Sequence, residues 1–477
     1  MVFSSLIFLC GFLPITILGY RLLRFVSGGK QWSIVLCNAF LLVMSLVFYA
    51  WGEPAYVLLM LFSILVNYLG GLLVGVFQKQ EKQGAAKASL VLTVIVNLGL
   101  LGFFKYTDFV ISAINSISGA GIALLKVALP IGISFYTFQA LSYVIDVYRK
   151  EVKVQWNPID FAMYVTLFPQ LIAGPIVRYA DVEAQIAKRD DGVEQFCNGI
   201  FRFCIGLAKK TLLANQAGKL WDLISVQADT LSAATAWLGA IAFTFQIYFD
   251  FSGYSDMAIG LGKMFGFDFV ENFRYPYQAD SITDFWRRWH ITLSTWFREY
   301  VYIPLGGNRC GAARQIFNLF VVWALTGLWH GAGWNFVLWG LYFFVLLVLE
   351  KKVLNKVLEK TPKALRHIYA LLMIVLGWVL FANEDFSALK AYFTALFGAN
   401  GGYDAQSLYY LLSNAVLLIV MAIGSTALPA TIGKRMFGKR NGEGKLLAQT
   451  VWSVMLVILS VSAMVADSYN PFLYFRF

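Results

Sequence analysis

The sequence predicts an all-α, polytopic integral membrane protein, with about ten transmembrane helices and further re-entrant and interfacial helices around a central funnel. Three observations lead there. Of 477 residues, 59% are hydrophobic and 17% aromatic. Charged residues make up 14%, where a soluble domain carries about 25%; so apolar a chain has too little polar surface to face water. The third observation is arrangement: apolar runs near the ~20 residues a bilayer requires alternate with short basic stretches. The same composition excludes a disordered, collagenous or coiled-coil chain. The net charge of +11 does not mark a nucleic-acid binder. Lys and Arg collect between the apolar runs, as in Gln78-Lys79-Gln80-Glu81-Lys82 and from Lys434-Arg435 to Lys445, and form no stripe interleaved with aromatics. This is the positive-inside pattern of cytoplasmic loops.

The runs follow in order. Met1–Tyr20 carries no charge, and Arg21 and Arg24 come after it. A secretory signal has its positive charge in front, so this reads as a retained helix with its N-terminus outside. Ser33–Trp51 returns outward to Gly52-Glu53, and Ala55–Phe77 comes back to Lys79, Lys82 and Lys87. Leu90–Phe104 goes out, and Ile122–Val147 re-enters as a helix broken at Pro130. From roughly 155 to 310 the apolar stretches are short and interrupted, as in Phe168-Pro169-Gln170-Leu171-Ile172-Ala173-Gly174-Pro175. Such backbone survives at membrane depth only inside protein or along a cavity, which is the ground for the funnel. Regular spans resume at Ile316–Trp329, Asn335–Leu349, Ile368–Phe381, Leu408–Leu428 and Leu447–Ala466. The charge rule puts the loops Lys351–Arg366 and Lys434–Lys445 in the cytoplasm and Asp467–Phe477 outside. Cys10, Cys37, Cys197, Cys204 and Cys310 have neither a metal-ligand spacing nor a disulfide pattern.

Three histidines occur. His367, beside Arg366, reads as a solvated or headgroup-facing residue. His330 stands in Leu325-Thr326-Gly327-Leu328-Trp329-His330-Gly331-Ala332-Gly333-Trp334, between two apolar runs. An ionisable residue at that depth is costly and functional by default. Gly327, Gly331 and Gly333 let a ligand or another backbone come close, and a desolvated imidazole stays neutral and able to accept a proton. A satisfied helix–helix hydrogen bond is the alternative. His290 lies in Asp284-Phe285-Trp286-Arg287-Arg288-Trp289-His290-Ile291-Thr292-Leu293-Ser294-Thr295-Trp296-Phe297-Arg298. Its apolar residues, from Phe285 to Tyr300, recur at helical spacing, with Arg287, Arg288, Thr295 and Arg298 opposite. An interfacial helix accounts for the tryptophans and arginines, but not for His290 one turn after Trp286. Asp250 and Asp256, in Tyr248-Phe249-Asp250-Phe251-Ser252-Gly253-Tyr254-Ser255-Asp256, could orient a histidine or cap a helix. There is no HExxH, Walker loop, GxSxG or strand-borne GxGxxG, so no metal or nucleotide-hydrolysis chemistry is indicated.

At these residues the chain resembles the membrane-bound O-acyltransferase (MBOAT) family, in the bacterial branch of alginate and peptidoglycan O-acetyltransferases. The matching blocks are Leu129–Gln139, Phe168–Arg178, Tyr248–Gly260, Ile282–Arg309 with its ending Tyr302-Ile303-Pro304-Leu305-Gly306-Gly307-Asn308-Arg309, and Leu325–Trp334. The resemblance implies one MBOAT-type membrane domain over 1–477, with N-terminal spans at 1–128, a catalytic core at 129–340, C-terminal spans at 341–466 and an outer tail at 467–477. It implies that His330 matches the family's catalytic histidine, in a tunnel joining the two membrane faces, and His290 its second functional histidine. Asp250, Asp256, Trp286, Trp289, Ser294, Trp329, Gly331 and Asn335 are candidates to line that tunnel. The implied donor is acetyl-CoA, as a substrate; no bound cofactor or metal is expected. The tail Phe472-Leu473-Tyr474-Phe475-Arg476-Phe477 reads F-x-Y-x-x-F and resembles the C-terminal motif of a small partner protein in teichoic-acid D-alanylation. There the tyrosine is implicated as a transient acyl carrier. Tyr474 is therefore either an acyl carrier or an aromatic anchor at the membrane interface.

The expected function is a membrane O-acetyltransferase of a bacterial cytoplasmic membrane, with both termini outside. It would pass acetyl groups from cytosolic acetyl-CoA through acyl-Tyr474 to an extracytoplasmic cell-envelope polysaccharide, either peptidoglycan or an alginate-like exopolysaccharide. A separate SGNH-type serine transferase at the outer face would complete delivery, because the chain has no soluble hydrolase-like domain. Two alternatives stand beside this: D-alanyl transfer from a carrier protein to teichoic acid, and a transporter or flippase of a lipid-linked glycan.

Overall fold

The computed structural model describes residues 1–477 except 29, 31, 439–441, 468, 470–472 and 474–477. Among the described residues every regular element is helical. At membrane depth this follows from chemistry, since a helix satisfies its backbone polar groups within one segment. Among the described residues, six helices are long and apolar enough to cross a bilayer: Phe8–Val26, Trp32–Ala50, Val57–Lys79, Gln83–Ser118, Lys363–Ala382 and Gly442–Ala466. They become seven when the pair Ala405–Ser413 and Ala415–Gly424, bent by 59°, is counted as one broken span.

The sequence reading of about ten spans differs at three places, each for a local reason. The runs Ile316–Trp329 and Asn335–Leu349 form the helices Ala312–His330 and Trp334–Leu349. The second runs on through a π-helical turn, Glu350–Leu354, into Asn355–Lys360, but its uncharged part is the 16 residues Trp334–Leu349, or about 24 Å of α-helix against a hydrocarbon core of roughly 30 Å. The run Leu408–Leu428 bends at Asn414 instead of crossing straight. The run Ile122–Val147 departs furthest: residues 119–132 have no helix, and only Ile133–Arg149 is helical. The preceding helix continues to Ser118 and is stopped by Gly119 at φ +67°, a left-handed cap natural to glycine. Beyond it, side chains take the backbone groups. Asn115 Oδ1 accepts from the Ile122 N–H at 2.8 Å, Asp108 Oδ1 from Leu125 at 2.8 Å, and the Tyr56 hydroxyl donates to the Ala128 carbonyl at 2.8 Å.

The chain forms two compact units. The first comprises Met1–Phe203 and Tyr254–Val270. Phe3, Phe8, Phe48 and Phe168 are buried there in mutual ring contact. Asn67 and Asn97 exchange side-chain amide hydrogen bonds at 2.9 and 3.1 Å, joining Val57–Lys79 to Gln83–Ser118. Between lipid-facing helices, where apolar burial gives little discrimination, such pairs supply the specificity.

The second unit comprises Cys204–Gly253 and Glu271–Phe477. Its centre is aromatic: Trp286 packs on Trp323, Trp339 and Phe343 at ring-centroid distances of 4.7, 5.5 and 4.9 Å. Ala312–His330 and Trp334–Leu349 cross closely because Gly327 and Gly340 meet: a Cβ at Gly340 would stand 2.5 Å from the Trp323 carbonyl oxygen, and one at Gly327 would strike that of Phe336. The sequence left open whether Gly327, Gly331 and Gly333 admit a ligand or a backbone. At Gly327 it is a backbone.

Candidate active site

The block containing His290 is not one amphipathic helix. It comprises Ile282–Trp286, a turn, Ile291–Phe297 and a π-helical turn Arg298–Tyr302. The break comes at His290 itself, whose backbone is left-handed (φ 44°, ψ 54°). Neighbouring segments draw off the groups a continuous helix would use: the Arg288 carbonyl accepts from Arg274 N–H at 3.0 Å, and the Ile291 N–H donates to the Asn272 carbonyl at 3.0 Å. Trp286 and His290 therefore do not share a helical face, contrary to the sequence reading. Trp286 joins the aromatic centre, and the Ser294 hydroxyl donates back to the Trp286 carbonyl at 3.4 Å.

The N-terminal end of this hairpin is pinned by a residue that sequence reasoning missed. Glu350, buried in the π-helical turn Glu350–Leu354, accepts from Ile282 N–H at 2.6 Å, Thr283 N–H at 2.9 Å and the Thr283 hydroxyl at 2.7 Å. His367 Nδ1 pairs with the Ala279 carbonyl at 2.9 Å, and Arg366 with Asp280 at 3.0 Å. The histidine read as solvated thus helps to hold the same loop.

His290 is 1% exposed, and its Nδ1 lies 3.1 Å from Asn272 Oδ1. It lies in a turn outside the membrane-crossing helices. Burial first, and the neighbouring His330 second, push its pKa well below the usual histidine range, so the ring is neutral at physiological pH. The Phe251 ring stands edge-on to it at 4.7 Å. Trp329 links the two histidines, with ring centroids 5.7 Å from His290 and 5.1 Å from His330. His330 ends the helix Ala312–His330 and packs among Trp339 and Phe381 at 4.9 and 5.3 Å. Gly331 follows in extended backbone, and a Cβ there would strike the Phe336 ring. Asn335 donates to the Phe381 carbonyl at 2.9 Å, holding the end of Lys363–Ala382 against the site.

A cavity of about 10 Å³ opens between Asp250, Phe251, Trp289 and His330, closed by Ile247, Trp378, Phe381 and Leu473. That is room for one water molecule. His290 Nε2, Asn272 Nδ2 and Trp339 Nε1, none of them on the lining of the cavity, are buried with no hydrogen-bond partner among the described residues. Buried polar atoms are satisfied in all but a few cases, so each of these three has hydrogen-bonding capacity left over. Asp250, on the helix Ala233–Met264, forms a 2.6 Å ion pair with Lys210. Lys210 sits in the π-helical turn Lys209–Ala214, a distortion common at functional sites. The other carboxylate oxygen of Asp250 accepts the Leu473 N–H at 2.9 Å. Upstream, the Tyr469 hydroxyl donates to Asp222 at 2.5 Å, Asn215 donates to the Tyr469 carbonyl at 3.1 Å, and Lys219 pairs with Asp467. The tail is thus held at Asp467 and Tyr469 by the helix Asn215–Ser225 and at Leu473 by Asp250, and of these tail residues Leu473 stands at the cavity wall. Tyr474, the next residue after Leu473, lies outside the described residues.

Of the residues picked from the sequence, the structure brings His290, His330, Asp250, Trp289 and Trp329 together. Trp286, Ser294, Gly331 and Asn335 support the surrounding packing. Asp256 belongs to the first unit, where it pairs with Arg202 at 2.6 Å. Lys210, Asn272, Trp378 and Phe381 were missed. A lysine inside the apolar stretch around 203–214 was the one available signal.

A helical membrane scaffold that sets a buried histidine, His330, and a buried carboxylate, Asp250, on the wall of a small, mainly apolar cavity fits the class of membrane-embedded group-transfer enzymes. Residues 147–383 match the profile of the membrane-bound O-acyltransferase (MBOAT) family. The probable alginate O-acetylase AlgI of Pseudomonas putida is 39% identical over 505 aligned residues, covering 100% of both chains. The peptidoglycan O-acetyltransferase of Helicobacter pylori is 35% identical over 431, covering 84% of this chain and 80% of its own. The teichoic acid D-alanyltransferase of Bacillus subtilis is 27% identical over 230, covering 46% and 58%. The chain belongs to the membrane-bound O-acyltransferase family; it is a multi-pass membrane acyltransferase, and the transporter reading falls.

Proposed function

We propose that the protein takes an acetyl group from acetyl-CoA at the cytoplasmic side of a bacterial cytoplasmic membrane. It passes the group through a tunnel at the His330 cavity for O-acetylation of a cell-envelope polysaccharide. The observation that carries this reading is the cavity wall itself: His330, Asp250 and Leu473 share it, and Tyr474 is the next residue in the chain. The names of the Pseudomonas and Helicobacter relatives support an alginate-like or peptidoglycan acceptor. In this reading His330 takes the Tyr474 hydroxyl proton as the phenolic oxygen attacks the thioester carbonyl. The C–S bond breaks, and CoA leaves as a thiolate that recovers the proton. Phenols ionise near pH ~10 and leave far more easily than a sugar alkoxide. Acetyl-tyrosine is therefore activated enough to hand its acyl group to the serine of a separate outer-face transferase of SGNH type. The charge rule supports both termini lying outside. The cavity, sized for one water, widens to admit the thioester.

The test is intact-protein mass spectrometry after brief incubation with acetyl-CoA, comparing wild type, His330→Ala and Tyr474→Phe, with CoA release followed in the same samples. The expected result is a gain of one acetyl mass mapped to Tyr474 and absent in both variants. CoA release independent of His330 would sink the reading, and a response to an aminoacyl carrier protein alone would replace the donor.

A further inference from the structure

Asn272 lies in the non-helical segment before Pro276 and is fully buried. Its side-chain oxygen faces three groups: the Thr292 N–H at 3.2 Å, the Thr292 hydroxyl at 2.9 Å and His290 Nδ1 at 3.1 Å. The first decides the rest. A backbone N–H can only donate, so the amide atom in front of it is the oxygen and not the NH₂ group. An amide oxygen can only accept, so His290 Nδ1 carries the hydrogen. In the neutral ring Nε2 is then a bare lone pair. The Asn272 backbone carbonyl accepts from Ile291 N–H, so both oxygens of this residue hold the turn in which His290 adopts its left-handed backbone. Such a conformation is uncommon for a residue other than glycine, though less so for histidine than for most, and here two hydrogen bonds from the flanking turn to Asn272 hold it. His290 Nε2 is buried with no hydrogen-bond partner among the described residues.

We propose that Asn272 is a positioning residue that locks His290 in the Nδ1–H tautomer, so that Nε2 can only accept a hydrogen bond from the groups taking part in acyl transfer. In the neutral ring it cannot donate one to the acyl oxygen. The inference rests on the reading of His290 as part of the acyl-transfer site. The titratable groups packed near it are His330, reached across Trp329, and Asp250, ion-paired with Lys210 and adjacent in sequence to the contacting Phe251.

The first readout needs no activity. The chain has three histidines, so nitrogen-15 histidine labelling of the full-length protein in detergent or nanodiscs, with His290→Gln to assign the signal, reads the tautomer directly. Wild type is expected to show a neutral Nδ1–H ring at His290; an Nε2–H ring would overturn the proposal. The second readout is the pH profile of CoA release from acetyl-CoA. Asn272→Asp keeps the acceptor and adds a negative charge, so His290 protonates at higher pH. The acid limb is expected to move up by about one pH unit or more, and an unmoved limb counts against the proposal. Asn272→Leu is expected to lower kcat with KM little changed; if it does not fold, the wild-type spectrum and the aspartate variant still decide. Should His290→Gln release CoA at the wild-type rate, the role given to His290 fails, whatever its tautomer.

Discussion

Lys210 and Asp250, each 3% exposed, form an ion pair at 2.6 Å, and the second oxygen of Asp250 holds the backbone N–H of Leu473 at 2.9 Å. One buried carboxylate therefore neutralises a cation on a distorted helical turn and anchors a segment 223 residues away in sequence.

Removing one charge of this pair leaves the other buried and uncompensated, which costs about 3–5 kcal/mol. Asp250→Ala is expected to lower the thermal melting temperature in detergent sharply. The double variant Lys210→Met with Asp250→Leu is expected to regain most of that loss while leaving the Leu473 amide unanchored. Carboxypeptidase trimming of the C-terminus should then accelerate in the double variant relative to wild type.

Glu350 accepts three hydrogen bonds at the start of Ile282–Trp286. Glu350→Ala leaves two backbone donors without their carboxylate and is expected to cost about 1–3 kcal/mol. Because the same hairpin carries His290, CoA release should fall as well, and Glu350→Gln should recover part of both. Parallel melting and turnover measurements check this.

Gly327 and Gly340 let two helices cross with their backbones in contact. Gly327→Leu forces that crossing apart and is expected to destabilise by about 1–3 kcal/mol or more. Gly311, around which nothing lies within 4 Å of an added Cβ, provides the control: Gly311→Ala should leave the melting temperature unchanged within about 0.5 kcal/mol.

In the first unit, Asp191 bonds Arg24 at 2.7 Å and accepts from the Tyr20 hydroxyl at 3.0 Å. Burial raises the Asp191 pKa, but the bonds and charge of Arg24 outweigh it, and the carboxyl sits below its usual range. A depressed carboxylate pKa contributes stability that is present above the unfolded value of about 3.9 and is lost as pH falls through the folded value. Acid melting curves should show this loss in wild type and its absence in Asp191→Asn.

The candidate site residues were legible where their type was rare in its setting. A histidine between apolar runs, such as His330, or within an aromatic run, such as His290, stands out because burying an ionisable group is costly. Asp250 stood out the same way. Asn272, Trp378 and Phe381 did not, because an asparagine before an aromatic, or an aromatic in a span, looks like any other until the fold assigns it a partner. The helix read through His290 failed for a related reason: periodicity records which residues are apolar, but not that Asn272 and Arg274 would take the backbone groups around the break.

By itself, then, the sequence determined the solvent, the helical class and the chemical character of the site, because composition and local spacing are properties of the chain alone. The tertiary structure decided which atoms face one another. It brought Lys210 and Leu473 to opposite oxygens of Asp250, closed Gly327 against a carbonyl, and set the Asn272 amide against His290. Each of these is a contact between distant segments whose geometry depends on how the helices pack, and no local pattern encodes it.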